Sequence, residues 1–320
     1  MAQKKKHRSG NPGKQAHHHP KKPVARQKKI GWIAGARPHT LPVAIAPVIV
    51  GAGVAVRAHV FDLTLLLLAL AVALFLQIGV NYANDYSDGV RGTDDHRVGP
   101  GRLTATGAKR AEHVRIAAFV FFGLALLAGI AITVLTQIWW LIAVGLVAVA
   151  AAWFYTGGKR PYGYSGLGEV AVFIFFGPVA TMGTAFIQMK AFSFWALAGG
   201  VAMGLLAAAV LLINNIRDID TDRIARKKTL ATRLGQRASI GLYVVMLALP
   251  MLGALAIGFL LTDVLYVQFG WLIIAPAILI AVTARTAGEF ITLLKLTTWS
   301  TLVYAVLFGL MIAQPWVAAA

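Results

Sequence analysis

Three observations predict an all-α integral membrane protein with about nine spanning helices, arranged as two four-helix repeats plus one. Hydrophobic residues make up 58% of the 320-residue chain, and mean hydropathy is +0.71. Both values belong to membrane bundles rather than to soluble domains. Nine apolar runs approach the roughly 20 residues that a bilayer's hydrocarbon core demands. Finally, seven of the twelve acidic residues crowd into two short clusters, each at the end of an apolar run.

The runs lie near 39–56, 63–83, 116–135, 138–156, 170–188, 194–213, 239–261, 267–284 and 298–317. Pro42 and Pro47 interrupt the first, which spans only if neighbouring groups satisfy the freed backbone. The second ends in Asn84-Asp85-x-x-Asp88 and a basic loop. The sixth, four helices on, ends in Asn215-x-x-Asp218-x-x-x-Asp222 and another basic loop. That correspondence predicts two related bundles with facing acidic ends and a ninth helix added. The loops 86–115 and 214–238 are long for a compact membrane protein, a length typical of functional lids. Trp139, Trp140, Trp195, Trp271 and Trp316 sit near run ends as interfacial anchors. Residues 1–30 are Lys-, His-, Pro- and Gln-rich and are predicted to form a disordered basic tail. The transmembrane domain then covers 31–320.

Thirty Lys and Arg against twelve Asp and Glu leave a formal charge of +18. With the amino terminus in the cytoplasm, every basic residue except Arg57 and Lys190 falls on the inner side, as the positive-inside rule requires. The excess therefore sets orientation in the plasma membrane and meets anionic lipid, and no nucleic-acid partner is expected. Both acidic clusters then face the cytoplasm. The chain has no cysteine, so disulfides, thiolate nucleophiles and Cys-ligated zinc are excluded. More than thirty polar residues precede the first run, which argues against a cleavable signal peptide.

If the helices run into the motifs, Asp85/Asp88 (i,i+3) and Asp218/Asp222 (i,i+4) each share a face. Two carboxylates about 6 Å apart repel by roughly 3 kcal/mol at an effective dielectric of about 20. A divalent cation relieves that repulsion. Oxygen-only ligands suit Mg²⁺, which favours a couple of carboxylates together with substrate phosphates. Asn84 and Asn215 add amide oxygens that ligate the ion or orient a carboxylate. The expected metal set is Asn84, Asp85, Asp88, Asn215, Asp218 and Asp222, and the chain reads as an enzyme that holds a diphosphate through magnesium. Arg97, Arg102, Lys159, Arg160, Lys227 and Lys228 are candidates to clamp phosphate oxygens that the metal leaves free. Arg97 and Arg102 flank a Val-Gly-Pro-Gly turn that would aim both from one loop. Lys159 stands in a Gly- and Tyr-rich turn, Tyr155-Thr-Gly-Gly-Lys159-Arg160-Pro-Tyr162, and joins the four Asp residues as a catalytic candidate. Tyr82, Tyr86 and Tyr155 lie beside the acidic motifs, where aromatic faces stabilise a carbocation. Tyr155 and Glu169 are the acceptor-binding candidates.

Four stretches carry a resemblance to a known family: ARPHTLPVAIAPVIVG (36–51), NDYSDGVRGTDDHRVGPGRL (84–103), YTGGKRPYGYSGLGE (155–169) and NNIRDIDTDRIARKKTLATRLG (214–235). The chain resembles the UbiA superfamily of membrane prenyltransferases, whose Asn-Asp-x-x-Asp and Asp-x-x-x-Asp motifs map to Asn84, Asp85 and Asp88 and to Asp218 and Asp222. Within it, the longer strings are most similar to members acting on 1,4-dihydroxy-2-naphthoate in menaquinone synthesis. Thr104 departs from the apolar residue expected after RVGPGRL, and the basic tail is longer than expected. The resemblance implies a nine-helix UbiA-type bundle with a polar cytoplasmic cap and a lateral opening to lipid. It implies that Mg²⁺ grips the diphosphate of a polyprenyl diphosphate donor. It also implies that the naphthoate ring attacks the allylic cation with loss of its carboxylate, giving demethylmenaquinone. Other acceptors (4-hydroxybenzoate, homogentisate, haem or a phosphoribose) and a membrane cation transporter are the competing readings. A phosphatidyl-group transferase fits less well, because Asp88-Gly-Val-Arg-Gly-Thr does not match its Asp-Gly-x-x-Ala-Arg pattern.

Overall fold

The computed structural model describes residues 31–94 and 101–314, and every regular element among them is helical. The predicted tail, together with Asp95, Arg97 and Trp316, lies outside the described residues. Nine helices follow the nine predicted runs: α1 (Leu41–Arg57), α2 (Leu63–Arg91), α3 (Ala111–Thr136), α4 (Leu141–Phe154), α5 (Gly168–Met189), α6 (Phe194–Arg217), α7 (Gln236–Gly258), α8 (Thr262–Thr283) and α9 (Ala287–Ala313). Eight of these segments are long and apolar enough to cross a membrane, with α1 joined to the short helix Trp32–Ala36, and α4 is a shorter ninth.

Three boundaries differ from expectation. Pro42 does not interrupt α1, because it occupies the first turn, where no N–H is needed. The real break comes earlier, at Arg37, whose backbone is left-handed (φ 54°, ψ 66°) and turns the chain from Trp32–Ala36 into α1. At 14 residues, α4 is about 21 Å long, short of a hydrocarbon core of about 30 Å. Exposed Trp139 and Trp140 stand at its start, where they suit the interface. Lastly, α9 begins at Ala287 rather than near 298, nucleated by a Thr286–Glu289 capping box. That extension carries Lys295 into a spanning helix.

Elsewhere the ends follow local chemistry. The Asp62 carboxylate caps α2 by accepting from Leu65 N at 3.0 Å, and left-handed Gly92 closes it (φ 70°). A π-turn at Phe175–Val179 breaks α5, where Pro178 lacks an N–H and Gly177 leaves helical geometry (φ −106°, ψ −105°).

The most deeply buried spanning helix is α6, which packs against α5, α7 and α9. Small residues allow the closest crossings. A Cβ on Gly53 of α1 would stand 2.3 Å from the Gly309 carbonyl oxygen of α9, a backbone approach typical of membrane interfaces. By contrast α4 packs on α2 and α3 and makes no comparable contact with α5, which leaves the bundle open on that side. Because α2 and α6 end at the same pole, their motif residues meet there.

Candidate active site

At the end of α2, each motif side chain has a distinct partner. Asn81 donates to the Ala36 carbonyl (2.8 Å) and Thr40 Oγ1 (3.2 Å), strapping the Trp32–Thr40 segment across the helix. Asn84 Oδ1 accepts from Thr156 Oγ1 at 2.8 Å. Arg91 donates to the carbonyls of Thr156 and Gly158, so the 155–164 turn is fastened to α2 twice. Asp85, 1% exposed, accepts backbone N–H bonds from Leu103 and Thr104, both at 2.9 Å. Asp88 accepts from the Tyr164 hydroxyl and lies 3.3 Å from Lys227 Nζ. The Lys227 ammonium also sits over the Tyr164 ring, 4.6 Å from its centre. Burial, reinforced by the Asp88 carboxylate, holds the Tyr164 phenol well above its ordinary pKa. Burial likewise raises Tyr155 and pushes Tyr162 up to about 12. Tyr164 donates to Asp88, and Tyr162 donates to the Ala151 carbonyl at 2.7 Å.

At the end of α6, Arg217 forks onto both oxygens of Asp218 (2.8 and 2.6 Å) and onto Asn214 Oδ1 (2.8 Å). This bidentate pair is buried, and such geometry is the strong form of the Arg–carboxylate interaction. Asn215 donates to Glu169 Oε1 at 2.9 Å. Asp222 is buried one turn on, its N–H bonded to the Asp218 carbonyl and its carbonyl accepting from Lys227 N. Asp220 points away and is exposed beside Arg223.

Between these two ends runs a cavity of about 660 Å³. Its polar end is lined by Asn84, Asp85, Arg102, Asn214 and Arg217, and Arg37 and Lys295 also belong to the lining. Tyr155 and Tyr162 form part of the wall, and beyond them the lining is apolar as far as Ile132 and Ile187. Ile130 and Leu146 line it while remaining exposed on the outer surface, so the apolar part opens sideways toward lipid.

The predicted site residues are thus sorted by position. Asn84, Asp85, Arg102 and Tyr155 line the cavity, whereas Asp88 and Lys227 pair with each other and are not part of the lining. Asp218 is tied to cavity-lining Arg217. Lys159, Arg160 and Lys228 are exposed and are not part of the lining. The 155–164 turn docks through its backbone carbonyls rather than through its basic side chains. Glu169 is buried off the cavity, where it holds Asn215. Sequence reasoning passed over Arg217, Tyr164, Arg37 and Lys295. Arg217 carried a signal, standing between Asn214 and Asp218 within the motif. Tyr164 carried none, because its partner lies 76 residues away.

The donors present fit a divalent cation shared with substrate. Among the described residues no three His, Cys, Asp or Glu side chains converge into a ready-made metal cage. The motifs instead contribute buried carboxylates and amide oxygens from α2, from the end of α6 and from the short helix Ile219–Ile224 that follows it. Mg²⁺ is suited to that arrangement, since it takes one or two carboxylates and completes its shell with phosphates and water.

Comparison with known proteins agrees with this geometry. The profile of the UbiA prenyltransferase family matches residues 44–290. The chain is 48% identical over 282 residues to the 1,4-dihydroxy-2-naphthoate octaprenyltransferase of Mycobacterium tuberculosis, covering 86% of this chain and 94% of that protein. It is 40% identical over 261 residues to the Escherichia coli protein of the same name, covering 79% and 83%. Its fold is similar to a UbiA homolog from Archaeoglobus fulgidus solved with GPP and Mg²⁺, with a TM-score of 0.62 at 15% identity over 86% of this chain and 97% of the other. An apo UbiA homolog from Aeropyrum pernix K1 gives 0.61 at 16% identity over 84% and 96%. With two Asp-bearing helix ends meeting over a lipid-open cavity, and the family profile matched along most of the bundle, this chain belongs to the UbiA prenyltransferase family.

Proposed function

We propose that the protein transfers a polyprenyl group from polyprenyl diphosphate to 1,4-dihydroxy-2-naphthoate at the cytoplasmic face of the plasma membrane. The observation that carries this reading is a single cavity joining an Asn-, Asp- and Arg-lined end to an apolar channel open to lipid. That is the shape of a charged head on a long isoprenoid tail. The naphthoate acceptor is supported by 48% identity to a relative named for it.

Asp88, Asp218 and Asp222, with the amide oxygens of Asn84 and Asn215, would hold Mg²⁺. The ion would offset charge growing on the departing diphosphate. Of the described phosphate candidates, Arg102 is best placed to meet the remaining phosphate oxygens, because it lines the polar end while largely buried, whereas Lys227 lies 3.3 Å from Asp88. The leaving diphosphate keeps the electron pair of the allylic C–O bond. The acceptor ring supplies the pair for the new C–C bond, and its carboxylate departs as CO₂, its bonding pair returning to the ring. The product is the quinol form of demethylmenaquinone, and it stays in the bilayer. Tyr155 lies in the wall where donor and acceptor would meet, and the lateral opening keeps bulk water from the cation.

Purified protein given Mg²⁺, a polyprenyl diphosphate and either 1,4-dihydroxy-2-naphthoate or 4-hydroxybenzoate should prenylate only the naphthoate, and EDTA should abolish turnover. Prenylation of the benzoate in preference would refute the acceptor assignment.

A further inference from the structure

Asp85 stands in the first acidic motif, yet its surroundings differ from those of Asp88. Both of its oxygens are engaged by backbone amides across a long loop, Leu103 N on one and Thr104 N on the other. The segment they belong to is seated at two further points. Leu103 is fully buried and packs against Gly35, where an added Cβ would lie 2.4 Å from its Cδ1. Thr104 rests on Gly89 of α2, where an added Cβ would lie 2.5 Å from its Cβ. The residue just before these, Arg102, is 6% exposed, lines the cavity, and has Asp94 3.5 Å from its Nε. Among the described residues its buried Nη1 has no hydrogen-bond partner. A buried guanidinium nitrogen left unpaired is costly unless a ligand completes it.

Given the diphosphate reading above, on which this rests, we infer that Asp85 is a positioning residue for Arg102 rather than a ligand of the metal. A carboxylate suits this task and an amide does not. Here the two N–H donors bond separate oxygens, whereas Asn offers one oxygen and turns an NH₂ toward the other donor. Asp85 thereby clamps the backbone beside Arg102, and Arg102 presents Nη1 to the donor's phosphate oxygens.

The test compares wild type, Asp85→Asn, Arg102→Ala and the double variant in detergent or nanodiscs. Asp85→Asn is nearly isosteric and should fold even if Asp85→Ala does not. Hydrogen exchange at the Leu103 and Thr104 amides should accelerate in Asp85→Asn. Binding of a prenyl diphosphate in the presence of Mg²⁺, measured without acceptor, should weaken about ten- to a hundredfold. The Mg²⁺ concentration for half-maximal binding should stay within about twofold of wild type, as expected of a group that contacts no metal. The double variant should be no weaker than Arg102→Ala, because the two residues act as a unit. Unchanged exchange combined with a large rise in the Mg²⁺ requirement would overturn the inference and return Asp85 to the metal. None of these readouts uses the acceptor, so failure of the naphthoate assignment would leave this test standing.

Discussion

The polar end sorts its charged side chains by burial, and burial decides what each one does. Arg102 is sunk into the cavity wall, whereas Lys159 is exposed on a turn that docks through its backbone. Arg102→Ala should cost about 1.5–3 kcal/mol, roughly ten- to a hundredfold in kcat/KM for the prenyl diphosphate. Lys159→Ala should stay within about fivefold, as for solvent-exposed charges in general. Steady-state kinetics with varied donor would read both, and equal losses would put Lys159 back among the phosphate ligands. The Asp motifs were legible in the sequence because acids are rare and these are paired at helical spacing. The roles of Arg102 and Lys159 were not. Each precedes or follows a Gly-rich turn, and only the packed structure shows which side chain turns inward.

At the scale of the helices, close crossings position the walls of the site. The α1–α9 contact depends on Gly53 meeting Gly309 backbone to backbone. Gly53→Val would force those helices apart at a cost of about 1–3 kcal/mol, seen as a lower thermal midpoint in detergent. Gly123→Ala, on the open face of α3 with nothing within 4 Å of the added methyl, should leave the midpoint unchanged or raise it. If Gly53→Val melts like wild type, the crossing is looser than described. Helix number and order followed from apolar run length, since a bilayer demands one run per crossing. The early start of α9 did not, because Ala287–Thr297 contains Glu289 and Lys295 and looks like a polar loop. The capping box that starts it is local, Thr286 and Glu289 three residues apart, but the cavity that accommodates Lys295 is a product of its surroundings.

Considered together, the described helices surround the cavity that the two motif ends share. Residues 1–30 precede every motif that lines the cavity, and their composition cannot build a core. Removing them should leave specific activity within about threefold, a modest change in transition-state terms, measured on folded protein matched for concentration. A loss of turnover in correctly folded truncated protein would assign the tail a part in the site. Fold class, helix order and the family were readable along the chain, because hydrophobic run length and acid spacing are local properties. They do not depend on what packs against them. That Thr156 reaches Asn84, that Tyr164 reaches Asp88, and that the turn holding Lys159 docks by its carbonyls are of another kind. Each depends on groups tens of residues apart being brought within 3 Å of one another, and only burial in a shared core selects those pairs.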